Sequence, residues 1–157
     1  MNAILAESVD TNIAPNNLRG AVTALQTELG KLPQVPLLTE HTFHGGIYCR
    51  QVFFHAGTMA VGLVHKKEHY FMVVSGTLHV TTDEGATTLV GPFLLCSNPG
   101  TKRAVFAETD VLCFTLHRVD ENARTVDEIA DDLMEIDPAS HFELDNTLKS
   151  PLIEVLV

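Results

Sequence analysis

Between residues 46 and 118 the apolar residues settle into a period of two, and turn signals cut the run every few residues. GIYCRQVFF, MAVGLVH, HYFMVVS, TLHVTT, TTLVG, FLLCS, RAVFAE and VLCFTLHRV are each of strand length. HAG, SG, DEGA, NPGTK and ETD separate them. These are rich in the residues whose backbone preferences suit tight turns. Many short strands with no helical segment between them do not make a βαβ fold. They close into an antiparallel sandwich or barrel, so the predicted fold class is all-β.

The flanks have a different rhythm. Residues 1 to 15 show no regular period. Leu18, Val22, Leu25 and Leu29 follow helical spacing and predict an amphipathic helix over 17–30, with Asn17 as its cap and Gly30 and Pro33 as its stop. PQVPLL then reads as an extended linker. Beyond Asp120, TVDEIADDLMEI puts Val126, Ile129, Leu133 and Ile136 on one helical face, and Asp127 and Glu128 suit the helix N-terminus. The expected organisation is an N-terminal arm with a helix (1–45), a barrel (46–118) and a C-terminal helical arm (119–157). The helix residues, with Leu152, Ile153, Val155, Leu156 and Val157 of the tail, would form a large apolar patch if left in water. The arms are therefore expected to bury mainly between chains, in a homo-oligomer or a larger protein assembly.

Composition removes several classes of function. A length of 157 residues suits one domain with a core of its own. Acidic residues outnumber basic ones 20 to 10, for a net charge of −10, so the surface repels phosphate backbones and no nucleic-acid partner is expected. No apolar run reaches the roughly 18 residues of a membrane span, and the N-terminus lacks the basic region of a signal peptide. The expected setting is cytoplasmic and not membrane-bound. Cys49, Cys96 and Cys113 are odd in number with no CxxC spacing, and read as reduced, mostly buried thiols.

Chemistry concentrates in GTMAVGLVHKKEHYFMVVSG, residues 57 to 76. Alternation puts Met59, Val61, Leu63 and His65 on one face of a strand, and His69, Phe71 and Val73 on one face of the next. A bend at KKE brings His65 and His69 together, as the start of a metal site or as hydrogen-bonded core histidines. Two imidazoles are too few for a metal, which typically takes three or four protein ligands. Lys66 and Lys67 read as a solvated turn, His79 and His117 as strand-face or rim residues, and His41, His44 and His55 as turn flanks. In the last strand, Leu112, Phe114 and Leu116 are placed in the core, although alternation leaves the opposite phase, Val111, Cys113 and Thr115, equally apolar.

The same stretch resembles the first motif of the cupins, small double-stranded jelly rolls. Gly57 and Gly76 stand at its terminal glycines, Leu63 at its first histidine, His65 at its second and His69 at its glutamate. GPFLLCSNPGTKRAVFA is similar to the second cupin motif. There Gly91 begins one residue early, Asn98 replaces the proline, Gly100 matches, Arg103 stands at the histidine and Ala107 at the asparagine. The resemblance implies a cupin jelly-roll barrel, here with helical N- and C-terminal extensions. More narrowly, VHKKEHY, PGTKR and VLCFTLHRVDE look like small uncharacterised cupin proteins of tailed phages.

For the site, the resemblance implies a set reduced to His65 and the substitute His69. Leu63 cannot bind a metal, and the fixed charge of Arg103 opposes a cation where the family places one. No cofactor is therefore expected. A divalent metal, if bound, would have His65, His69 and Glu68 as ligands, while Arg103, His65 and His69 would form an anion site. Three functions follow. The first is a phage-type non-catalytic cupin with a degenerate metal site, a structural or binding subunit of a virion or its tail. The second is a metal-dependent cupin enzyme acting on a small carboxylate or sugar. The third is a cupin that binds an anion, nucleotide or sugar phosphate.

Overall fold

The period-two segments become strands of two facing sheets. The computed structural model describes residues 1–5 and 18–149. In chain order the elements are β1 (Asn2–Leu5), α1 (Leu18–Leu29), β2 (Leu38–His44), β3 (Ile47–Phe54), β4 (Thr58–Val61), β5 (His69–Ser75), β6 (Thr77–Thr82), β7 (Gly85–Val90), β8 (Phe93–Ser97), β9 (Ala104–Ala107), β10 (Val111–Arg118) and α2 (Val126–Leu133). Sheet A runs β1-β4-β9-β6-β7 and sheet B runs β2-β3-β10-β5-β8, with every pairing antiparallel. This is a mostly β jelly roll with two short helices near the ends. Asn17 and the apolar tail residues Leu152, Ile153, Val155, Leu156 and Val157 lie outside the described residues. No described helix is long and apolar enough to cross a membrane.

Eight strands coincide with the period-two segments. Of the other two, β1 falls in the stretch that read as irregular, and β2 in the N-terminal arm, where only its first residue belonged to the linker. β2 (LTEHTFH) alternates Thr39, His41 and Phe43 inward with Leu38, Glu40, Thr42 and His44 outward, so neither face is an apolar stripe. β1 has only four residues, three of them buried, and shows no alternation.

The inner faces of both sheets build the main core. Phe54, Phe71, Val73, Leu78, Val80, Val105, Val111 and Cys113 pack between them, and Phe142 closes one side. The register of β10 against β3 and β5 settles its phase. Val111, Cys113, Thr115 and His117 face inward, while Leu112, Phe114 and Leu116 lie half-buried on the outer face, contrary to the expectation for those three. Met59 and Val61 are buried as expected, but not in the barrel: with Ile4 and Ala104 they pack against Val22 and Leu29 of α1 on the outer face of sheet A. Their neighbour Ala60 points into the barrel, so β4 is buried on both sides. Of the cysteines, Cys113 is buried, Cys49 half-buried and Cys96 exposed.

Two local features shape the two ends of the barrel. Gly76, between β5 and β6, has a φ of +91°, and a Cβ there would lie 2.1 Å from the Asp110 carbonyl oxygen, so only glycine fits. α2 folds back over one barrel mouth. Val126, Ile129, Ala130 and Leu133 bury against Tyr48 and Leu63. The helix ends at Leu133, which leaves Ile136 71% exposed rather than on the packed face.

Candidate metal centre

Two strand ends and one pinned loop meet beneath α2. β10 pairs with β5 through Thr115–Phe71 and Leu116–Tyr70, and the next step along the register sets His117 opposite His69. Their rings stack with centroids 4.7 Å apart. His65 arrives from the other sheet, in the loop after β4. Its backbone bridges Met134, the Lys66 N–H donates to the Leu133 carbonyl at 2.7 Å, and the Gly100 N–H donates to the His65 carbonyl at 2.8 Å. The His65 ring lies 4.2 Å from His69 and 5.0 Å from His117, nearly parallel to both.

One nitrogen from each ring falls within 4.8 Å of the others. Three nitrogens bound to one zinc-like ion, each about 2.0–2.1 Å from it, sit about 3.4 Å apart in tetrahedral geometry, so binding would draw the nitrogens together and turn the stacked rings until their in-plane lone pairs meet at one point. The chemistry of the donors fits a metal in three further respects. Nδ1 of both His65 and His117 is buried without a hydrogen-bond partner among the described residues, an arrangement that is costly unless something else satisfies it. His69 Nδ1 donates to the Lys67 carbonyl at 3.1 Å, which leaves Nε2 as its free lone pair and holds the ring in place. All three imidazoles are kept neutral. Burial is the main cause for each, reinforced for His65 by His69, His117, Arg50 and Arg103, and for His69 by Arg103 against the opposing Lys67 carbonyl. Burial, His69 and Arg50 push His117 down to about 3.

A polar network supports His117 from behind. Tyr48 stacks on it at 5.9 Å and on Phe43 at 4.8 Å. The Tyr48 hydroxyl accepts from Arg50 Nε at 2.9 Å and meets His41 Nδ1 at 2.7 Å, while His41 Nε2 reaches the Asp145 carbonyl at 2.9 Å. Two spaces reach the cluster. An inner cavity of about 80 Å³ is lined by His65, His69, Arg50, Arg103 and Thr115 among others. A surface pocket of about 410 Å³, bordered by Glu68, Tyr70, Asn98 and Arg118, opens onto His69 and His117.

Of the residues singled out by sequence, His65 and His69 come together, and Arg103 lines the same inner cavity. Glu68 is exposed beside the surface pocket and is not one of the three converging ligands. Leu63 is buried under α2. Lys66 and Lys67 are exposed, but they reach α2 at the Asp131 carbonyl and the Asp132 carboxylate. His117, Tyr48, Arg50 and His41 were not anticipated as site residues. The missing signal was the phase of β10, which turns His117 inward. His79 does lie on a strand face: it hydrogen-bonds Thr88 and Glu108 on the outside of sheet A.

No family model and no curated protein matches the chain. Solved cupin structures do. A cupin superfamily protein of Desulfitobacterium hafniense is 13% identical, with a TM-score of 0.47 over 74% of this chain and 99% of that one. A cupin-2 domain protein of Shewanella frigidimarina is 10% identical, with a TM-score of 0.45 over 60% and 91%. The cupin-2 domain of an Enterobacter cloacae XRE family transcriptional regulator is 14% identical, with a TM-score of 0.47 over 55% and 99%. Likeness at this level concerns chain path, and the jelly roll itself rests on the strand order described above. The names of these proteins lend no support to the expected tailed-phage or virion connection.

Proposed function

We propose that the chain is a metal-dependent cupin whose ion is held by His65, His69 and His117. Of the three functions left open by the sequence, this is the second. The observation that carries it is the convergence of three neutral imidazoles, two of them with a buried, partnerless Nδ1. Imidazole sets of this kind suit zinc and the first-row transition metals. Three protein ligands leave at least one coordination position for a small ligand, whose oxygen the ion would polarise when bound.

The protein's own residues supply the remainder. The Lys67 carbonyl orients His69, Tyr48 backs His117, and the Leu133 and Met134 backbone holds the His65 loop. α2 and the apolar cluster beneath it keep bulk water from that side of the cluster. The test is elemental analysis and zinc titration of the full chain. One ion per chain is expected, with His117→Ala weakening zinc binding by more than about tenfold. His79→Ala, on the opposite sheet's outer face, should leave it unchanged. Zinc uptake that ignores His117→Ala would remove this reading.

A further inference from the structure

Beside the histidines, the inner cavity carries two guanidiniums from opposite walls. Arg50 belongs to β3 of sheet B and Arg103 directly precedes β9 of sheet A. Arg50 is 6% exposed, and its partners are all neutral: the Tyr48 hydroxyl at 2.9 Å, the Asn146 side-chain carbonyl at 3.4 Å and the Leu144 carbonyl. Arg103 donates to the Thr81 carbonyl at 3.0 Å and Ser97 Oγ at 2.7 Å, and lies 5.2 Å over the Phe71 ring. Burial lowers Arg103 to about 10, which still leaves it charged at neutral pH. Neither arginine forms an ion pair among the described residues. Asp83 acts on Arg103 and Asp145 on Arg50 only from beyond ion-pair distance, and their carboxylates accept hydrogen bonds from Asn98 and Thr147.

A buried cation without a counter-charge is strongly unfavourable, and two of them facing one void are more so. A third polar group points to the same place. Thr115 pairs across the sheet with Arg50 on one side and Phe71 on the other, and its Oγ1 is buried with no partner among the described residues. A volume of about 80 Å³ has room for about five to eight water-sized atoms. That is the size of a short organic acid and too small for a nucleotide or a sugar phosphate.

We propose that this cavity binds the carboxylate of a small organic acid between Arg50, Arg103 and the Thr115 hydroxyl, with the rest of the acid directed toward His65 and His69. Its use as a substrate pocket rests on the metal-dependent reading; the carboxylate site itself does not. The acid also eases an electrostatic conflict. A dication at three neutral imidazoles would sit near two guanidiniums, and an anion between them offsets part of that charge. Metal and acid should therefore strengthen each other's binding, by the same factor in either direction.

The experiment is calorimetric titration of propionate and malonate into the full-length protein, metal-free and zinc-loaded, with malonamide and inorganic phosphate as comparisons. Zinc content is measured on the same samples. At least one acid should bind both forms, and propionate, a weak chelator, should bind the zinc form more tightly. Arg103→Met should weaken acid binding about ten- to hundredfold, and the near-isosteric Thr115→Val about three- to tenfold, with zinc uptake unchanged in both. The proposal is overturned by the absence of acid binding at 10 mM-scale concentrations (roughly the weakest useful affinity), by affinities that ignore Arg103→Met, or by phosphate or malonamide binding as tightly as the acids. Acid binding without zinc uptake would remove the metal reading alone, and zinc uptake without acid binding would remove this one alone.

Discussion

In the resemblance to the cupin motifs, Leu63 and Arg103 stand at two histidine positions, and His117 brings an imidazole to the cluster from a strand outside both motifs. That substitution was invisible in the sequence for a physical reason. A single strand has two faces, and in VLCFTLHR both are apolar enough to be the inner one. Only pairing with β3 and β5 decides between them, and pairing is a non-local property. His65 and His69 were legible because four residues and a bend are local. The burial of the three rings has a thermodynamic consequence in the metal-free protein. His117 titrates near 3 when folded and near 6.5 as a free imidazole, so below pH 6.5 the unfolded chain binds protons that the folded chain refuses. Stability then rises with pH across that window, and is lost as pH falls from about 6.5 toward 3. Denaturant unfolding of the metal-free protein at several pH values should show this slope, and His117→Phe should reduce it. A midpoint independent of pH over that range would contradict the burial of these rings.

At the scale of elements, α2 sets the geometry of the centre without supplying a ligand. Its apolar face was readable from helical spacing, but what that face covers was not, because helical periodicity names a buried stripe without naming its partner. The partner is the mouth of the chain's own barrel, at Tyr48 and Leu63. Leu133 links packing to function: its side chain is 1% exposed and its carbonyl accepts from Lys66, next to His65. Leu133→Ala should destabilise the fold by about 2–5 kcal/mol, as expected for a large-to-small change in a core. It should also weaken zinc binding by loosening the His65 loop, although no ligand is altered. Unfolding curves and zinc titration on the same variant test both. Lost stability with unaltered zinc affinity would show that the loop is held by other means. β1 and β2 show the opposite limit of sequence reading, being strands made by edge pairing rather than by any apolar stripe of their own.

At the scale of the whole molecule, the two sheets treat their outer faces differently. Sheet A is covered over β1, β4 and β9 by α1, whose Val22 and Leu29 bury on Met59 and Val61. The helical parts of both arms thus pack one face on their own barrel, and a further apolar surface is open to a partner. Sheet B offers it. Cross-strand register aligns Leu38, Phe53 and Leu112 in one outward row, Phe114, Met72 and Leu94 in the next, and Leu116 with Tyr70 in a third. Leu38, Tyr70 and Leu94 are 59%, 49% and 52% exposed, and no described helix lies over them. Contiguous apolar rows of this kind are uncommon on monomers, and a sheet face pairs readily with a copy of itself about a twofold axis. Self-association through sheet B is therefore the expected outcome at micromolar concentration, by sedimentation velocity. Phe114→Glu should shift the protein toward monomer. Its side chain alternates to the outer face, opposite the inward His117, so the β-sheet circular dichroism and zinc uptake should both survive. A wild-type protein that sediments as a monomer at tens of micromolar, roughly the range where weak protein pairs form, would show that this face is not where copies of the chain meet.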